Sequence, residues 1–383
     1  MKKVAVVTAT RAEYGILRPL IMRLNDDREI ELQLLVTGTH LSAKYGCTET
    51  EIVKDQIPIF ERIPILEEGN TAYDISCTMA NAIRGFADYF RREHPDLLVV
   101  LGDRTEMLGV CSAAMNERVP IAHLHGGELT EGAVDDCVRH ALTKMSYLHF
   151  PATEEYRKRI IQLGEAPERV FNVGALGVEN ILKTPLLPYE EMCASVGIPE
   201  KQKYVVVTFH PVTLESGKEM EQVDALIEAM QKQKEYFYLI TKANADVGGE
   251  WVNARFEAFC EKQKNTKLVA SLGMKRYLSA VKYSCFVLGN SSSGIIEAPA
   301  FGVPTVNIGD RQKGRLMADS IIQCGTETSE IVRAMQEAEK MERIPSKLYG
   351  DGNTSEQIIT IIKEFLFKNK IDLKKKFNDV EFV

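Results

Sequence analysis

Two kinds of apolar pattern alternate along this chain. Short runs that are apolar at every position, such as Val4–Val7, Leu97–Leu101 and Tyr204–Val207, stop abruptly at polar or glycine-containing turns. Runs of that kind mark strands buried on both faces of a parallel sheet. Between them lie longer stretches whose apolar residues recur every three or four positions, the spacing of a helix with one covered face. In the first half the pattern predicts strands over 4–8, 31–37, 97–101, 121–125, 149–151 and 170–173. Helices are predicted over 16–24, 73–94, 106–117 and 154–163, with another opened by Asp135-Asp136. In the second half, strands over 204–209, 236–241, 267–270, 285–288 and 305–308 alternate with helices over 219–232 and 251–262 and one carrying Glu297. A last helix runs through Phe367, with Thr354-x-x-Gln357 as its capping box.

Regular alternation of strand and helix is the pattern of a doubly wound α/β sheet. One phrase occurs twice. Val-Leu-Gly-Asp (100–103), a helix, Val119-Pro120 and a strand return as Val-Leu-Gly-Asn (287–290), a helix, Val303-Pro304 and a strand. The weak repeat predicts two similar, half-barrel-like α/β units facing each other across a cleft, with 184–203 as the connection between them. The lysines of 374–376 read as a solvated tail.

Composition narrows the function. At 383 residues the chain can bury more than one core, and 45% hydrophobic with 26% charged residues is ordinary globular composition. A formal charge of −7 argues against a nucleic-acid partner, and no apolar run approaches a membrane span or the core of a signal peptide. The eight cysteines are scattered without a Cys-x-x-Cys pair, which fits reduced thiols in a cytoplasmic enzyme.

Ligands of open parallel sheets bind beyond the carboxyl ends of the strands. Asp103, Arg104, His125, Glu128 and the Asp135–His140 turn are therefore expected along one rim. Two carboxylates and an imidazole converging there suit abstraction of a weakly acidic proton. His123 and His125, two apart on a strand, would share a face, but no third and fourth ligand follow and no metal is expected. The turn after the first strand lacks Gly-x-Gly-x-x-Gly, so a dinucleotide cofactor is not indicated, and Arg11 would supply the anion contact instead. The serine loop 290–294 at a helix start offers backbone N–H groups and hydroxyls to a phosphate. Glu297, one turn on, is placed for a diol, and together these suggest a nucleotide.

These residues resemble the hydrolysing UDP-N-acetylglucosamine 2-epimerases, including the epimerase half of the bifunctional enzyme of sialic acid synthesis. The resemblance runs nearly end to end. It rests on Arg11-Ala12-Glu13-Tyr14, Gly102-Asp103-Arg104, His123-x-x-Gly126-Gly127-Glu128, Asp135-Asp136-x-x-Arg139-His140 and His210-Pro211-Val212-Thr213. Gly289-Asn290-Ser291-Ser292-x-Gly294-x-x-Glu297, Arg311-Gln312-x-Gly314-Arg315 and Tyr349-Gly350-Asp351-Gly352-Asn353 complete it. The resemblance implies two Rossmann-like doubly wound domains of the GT-B type. The first spans 1–175 and is rejoined by 355–383; the second, the UDP-binding one, spans 176–354. It implies elimination of UDP from the sugar to a glycal, then hydration to the free 2-epimer, without cofactor or metal, in a cytoplasmic homodimer or homotetramer. Asp103 and Asp135 fall on acid/base carboxylates. Arg11, His210, Asn244, Ser291, Ser292, Glu297 and Arg311 fall on or near UDP contacts, with Arg104 and Arg139 counted among the substrate-binding residues.

Where the bifunctional relative has a catalytic glutamate after His-Ile, this chain has His125, and either His125 or Glu128 fills that role. UDP-N-acetylglucosamine is the expected substrate, and UDP-N,N′-diacetylbacillosamine is the alternative. A non-hydrolysing epimerase, a glycosyltransferase of the same architecture and a non-catalytic nucleotide-sugar sensor are the more remote readings.

Overall fold

The computed structural model describes residues 1–43, 46–67, 69, 71–129, 134–210, 219–243, 249–270, 272–368 and 371–381. They form two compact units, Met1–Asn180 with Tyr349–Val383, and Ile181–Leu348. The first contains β1 (Lys2–Thr8), α1 (Arg11–Asp26), β2 (Ile30–Thr37), α2 (Glu49–Lys54), β3 (Glu61–Ile63) and α3 (Ala72–Glu93). It continues through β4 (Leu97–Leu101), α4 (Thr105–Asn116), β5 (Ile121–Leu124), α5 (Val134–Met145), β6 (Leu148–Phe150) and α6 (Glu154–Gln162) to α7 (Leu176–Lys183). All pairings are parallel, in the order β3-β2-β1-β4-β5-β6.

The period-2 alternation of the strands divides their side chains between two cores. Val4, Val6, Leu97 and Val99 face Leu17 and Ile21 of α1, whereas Ala5, Val7, Leu98 and Val100 face Phe86 and Phe90 of α3 and Val110 of α4. Both faces are covered, which is why β4 is apolar throughout.

The second unit contains α8 (Tyr189–Val196), β7 (Tyr204–Thr208), α9 (Glu219–Lys232), β8 (Phe237–Thr241), α10 (Gly249–Cys260), β9 (Thr266–Val269) and α11 (Gly273–Tyr283). After these come β10 (Val287–Gly289), α12 (Ser292–Ala300), β11 (Thr305–Ile308), β12 (Ile321–Cys324) and α13 (Thr328–Ala338). Its parallel order is β12-β11-β10-β7-β8-β9. Counted from its own first strand, that is the order of the first sheet. The repeated phrase thus falls on equivalent elements: β4 beside β1 and leading to β5, β10 beside β7 and leading to β11. Each sheet is open and doubly wound, so the half-barrel expectation gives way.

Other expectations are also revised. The segment 184–203 is no free connection: Met192, Cys193 and Val196 of α8 are buried with Tyr204, Ala280 and Val281 in the second core. No strand forms at 170–173, where Val170 makes a single bridge to His149. The last helix, α14 (Thr354–Lys363), lies in the first unit and buries Ile358 and Ile362 in the α1-side core. Thr354 is its first helical residue and not its cap, so the capping box is not made. Glu179 of α7 serves instead, accepting from the N–H of Ser355 at 2.6 Å and from its hydroxyl at 2.7 Å. All eight cysteines are free thiols. Among the described residues, no helix is long and apolar enough to cross a membrane.

Candidate functional site

In each sheet the winding reverses between the first and fourth strands, and the chain ends leaving those two strands splay apart there. In the first unit these are the turns after β1 and β4. Thr10 caps α1, its hydroxyl accepting from the N–H of Glu13 at 3.2 Å. The helix therefore begins at Arg11, earlier than the apolar pattern indicates. Arg11 is well exposed and ion-paired with Glu51 at 2.8 Å. The Glu13 carboxylate turns back to accept from the N–H of Ala9 at 3.0 Å. Burial pushes its pKa up to about 7, with Arg104 opposing and Glu106 adding to the rise.

After β4, Asp103 meets the guanidinium of Arg139, which is almost fully buried on α5. Arg139 also donates to the Glu128 carbonyl at 2.9 Å and lies 3.5 Å from Asp136. One cation thus ties the β4 turn, the β5 turn and α5 together. Arg104, the N-cap of α4, pairs with Glu106 at 2.6 Å and lies in the field of Glu13 and Asp135. Asp135 is exposed in the first turn of α5.

β5 ends at Leu124, and His125 takes a left-handed backbone (φ 60°) while its N–H still bonds the Phe150 carbonyl at 3.1 Å. For a residue other than glycine this costs of order 1–3 kcal/mol, a strain typical of functional positions. Its Nδ1 stands 3.0 Å from Glu128 Oε1, and its Nε2 is buried with no hydrogen-bond partner among the described residues. A carboxylate accepts from Nδ1–H, which leaves Nε2 as the basic nitrogen. His125 and Glu128, alternatives in the sequence, are partners in the structure.

His123 is different. Its Nε2 meets the Gly102 carbonyl at 2.7 Å and its Nδ1 meets Thr143 Oγ1 at 3.3 Å. Burial pushes its pKa down to about 3, against the Gly102 bond, so it is a neutral brace and not a ligand. The strand stops before His125, so the expected shared face does not arise. His140 is held below the usual histidine range by burial, with Asp136 opposing, and its Nδ1 has no partner among the described residues. Among the described residues, no group of three or more His, Cys, Asp and Glu side chains is arranged to hold a metal.

The second rim is organised by Asn290. Its side chain accepts from the His210 N–H and donates to the His210 carbonyl, both at 2.8 Å, joining the ends of β10 and β7. Its own carbonyl accepts from Arg311 at 3.0 Å and Gln312 at 2.9 Å, beyond β11. Gly289 makes this possible: at φ 137° any Cβ would overlap the Thr208 carbonyl. Ser291 caps α12 by accepting from the Ser293 N–H at 3.4 Å, and Ser292 opens the helix. The positive end of that helix's dipole favours an anion. Glu297 has its pKa raised by burial, with a Ser293 hydrogen bond opposing, and its Oε2 is unpartnered among the described residues. Tyr277 donates to Ser293 at 2.6 Å and steadies the loop.

The first rim thus gathers Asp103, Arg104, His125, Glu128 and Arg139, with Asp135 beside Arg104; the second gathers His210, Ser291, Ser292, Glu297 and Arg311. Asn244 and residues 211–213 lie outside the described residues. Glu13, Glu106 and Asn290 carry more of the architecture than their sequence positions suggest. Glu13 carries a signal in the sequence as the third residue after a Thr cap, and Asn290 stands in the repeated phrase and the serine loop, whereas nothing in the sequence marks Glu106.

A family model described as UDP-N-acetylglucosamine 2-epimerase matches residues 22–363. The polysialic acid biosynthesis protein P7 of Escherichia coli is 39% identical over 386 aligned positions, covering 99% of this chain and 98% of that one. The hydrolysing GDP/UDP-N,N′-diacetylbacillosamine 2-epimerase of Campylobacter jejuni is 39% identical over 342, covering 89% and 88%. Among solved structures, the Neisseria meningitidis UDP-GlcNAc 2-epimerase bound to UDP-GlcNAc superposes with a TM-score of 0.79 at 18% identity, covering 94% of this chain and 100% of that one. That likeness is one of fold, whereas the family match and the two relatives span nearly the whole sequence. The chain belongs to the UDP-N-acetylglucosamine 2-epimerase family.

Proposed function

We propose that the protein is a hydrolysing 2-epimerase that converts UDP-N-acetylglucosamine and water into N-acetylmannosamine and UDP. The observation that carries this reading is the His125–Glu128 pair, an imidazole oriented at Nδ1 with Nε2 buried and unpartnered among the described residues. In the first step His125 Nε2 takes the proton from carbon 2, the carbon 1–oxygen bond breaks, and UDP departs with that electron pair, leaving a glycal. In the second, water adds its hydroxyl to carbon 1 and carbon 2 is reprotonated on the opposite face, with Asp103 and Asp135 as the carboxylates that supply and receive protons. A positioned base contributes about 10²–10⁴-fold.

The second unit's rim is assigned the UDP. The α12 N-terminus with Ser291 and Ser292 meets the diphosphate, aided by Arg311, while Glu297 accepts from the ribose diol; Arg11 is assigned to the UDP by its place in the sequence motif. Charge that develops on the leaving diphosphate is met by fixed dipoles and cations. Arg104, Arg139 and His210 complete the substrate contacts, and Asn244 is assigned to the UDP by its place in the sequence motif.

UDP-N,N′-diacetylbacillosamine is the second reading, favoured by the activity named for the Campylobacter jejuni relative. Incubation with each UDP-sugar separately, with identification of the free sugar by NMR, distinguishes them. Release of N-acetylmannosamine and UDP supports the first reading, turnover of the diacetylated sugar alone supports the second, and turnover of neither refutes both.

A further inference from the structure

The lysine-rich end of the chain is not wholly solvated. Lys374 and Lys376 are exposed, but Lys375 turns inward and donates to the carbonyls of Lys144 at 2.8 Å and Ser146 at 2.7 Å. These carbonyls lie at the C-terminal end of α5, where acceptors lack helical partners and a cation is favoured. The same ammonium lies 2.8 Å from Glu165, which is fully buried and also bonded to Lys144 at 2.6 Å and His149 at 3.1 Å. Burial disfavours the Glu165 charge, but these bonds outweigh it and hold its pKa down at about 2. Two residues on, Phe377 covers Gly164 and lies 5.1 Å from Lys144 Nζ, and the Asn378 N–H bonds the Gly164 carbonyl at 3.0 Å. Beside these anchors, a cavity of about 840 Å³ lined by Arg118, Pro120, Tyr147 and Leu373 separates the strap from the turn before β5. The strap is therefore held at a few points and not packed along its length.

Along α5, at 1.5 Å per residue, Asp135 and Asp136 in its first turn lie about 12–14 Å from Lys144, and Arg139 and His140 at mid-helix lie about 6–8 Å from it. We propose that Lys375 is a positioning residue for the reaction: by capping the far end of α5 it fixes where that helix stands, and so where Asp135 and Arg139 meet the rim. The proposal rests on the assignment of that rim to the epimerase chemistry. A misplacement of about 1 Å at a reacting group can cost on the order of 10²-fold in rate.

The test compares full-length Lys375→Met, Lys375→Arg and Phe377→Ala with Lys374→Met as the control, by steady-state kinetics and amide hydrogen exchange. Loss of Lys375 leaves Glu165 with Lys144, His149 and, at 3.8 Å, Arg169, and Phe377→Ala loosens the strap without removing a charge. Lys375→Met and Phe377→Ala should each lower kcat about tenfold or more, with KM changed less than about twofold, and should speed exchange in the first turns of α5. Lys375→Arg should recover much of the rate, and Lys374→Met should match wild type. A strap that exchanges freely while kcat and α5 exchange stay at wild-type values overturns the proposal. So does a fall in kcat that merely tracks global unfolding in both variants. Wild-type protein inactive on every UDP-sugar would fail the functional reading instead, and α5 exchange in the variants would still decide the positioning role.

Discussion

If Glu128 acts by orienting His125, the two residues form one unit, and their substitutions should not add. His125→Gln removes the base and should lower kcat by about 10²–10⁴-fold. Glu128→Gln keeps the shape and an acceptor within reach of Nδ1, now 3.0 Å from the carboxylate. It exchanges a hydrogen bond to a charged group, worth roughly 1.5–3 kcal/mol, for a neutral one worth roughly 0.5–1.5. A difference of about 1 kcal/mol is a factor of about five, so Glu128→Gln should cost about five- to tenfold. The double variant should be no slower than His125→Gln alone, the non-additivity expected of coupled residues. The assay is UDP release with saturating UDP-sugar, on proteins whose melting curves match wild type. Two results would refute the reasoning: Glu128→Gln as damaging as His125→Gln, or a double variant in which both losses multiply. Either would make Glu128 an independent participant.

Ser291→Ala and Ser292→Ala should each weaken UDP binding by roughly 1.5–3 kcal/mol in calorimetry, but only Ser291→Ala, which also loses the α12 cap, should lower thermal stability, by about 1 kcal/mol. Gly289→Ala should destabilise the second unit by at least about 2 kcal/mol in denaturant titrations, because its Cβ has no room beside the Thr208 carbonyl. Glu13 has a folded pKa of about 7 against an ordinary 4.5, so the folded chain keeps a proton that the unfolded chain has released, and its contribution to stability falls as pH rises through that window. Relative to wild type, Glu13→Gln should gain up to about 3 kcal/mol between pH 4.5 and pH above 7; a difference that does not change with pH would contradict this.

The doubled strand–helix phrase was legible because its causes are local. A strand covered on both faces must be apolar throughout, and a turn at the end of such a strand must be glycine or polar. The equivalence of β4 with β10 could therefore be read from two short matching segments. What the sequence hid was set by distant partners. Glu179 caps a helix 176 residues further on, and nothing in its own neighbourhood marks it as a cap. The role of Lys375 depends on Glu165 and the end of α5, and among neighbouring lysines it reads as solvent-facing. The segment 184–203 has the proline and charge content of a linker, yet Met192 and Val196 are spaced to bury one side of a short helix. At the rim, residue types pointed to proton transfer, but the pairing of His125 with Glu128 follows from a left-handed residue at a strand end, which composition does not reveal.

The central claim, elimination of UDP followed by hydration, is tested most directly by turnover in heavy water. The protein is incubated with UDP-N-acetylglucosamine, and in parallel with the diacetylated bacillosamine analogue, and the products are read by NMR and mass spectrometry. The account predicts free UDP and a free 2-epimeric sugar carrying one deuterium at carbon 2, because that proton is removed and replaced from solvent. A free sugar that keeps its original carbon 2 proton, or an epimer still attached to UDP, would contradict it.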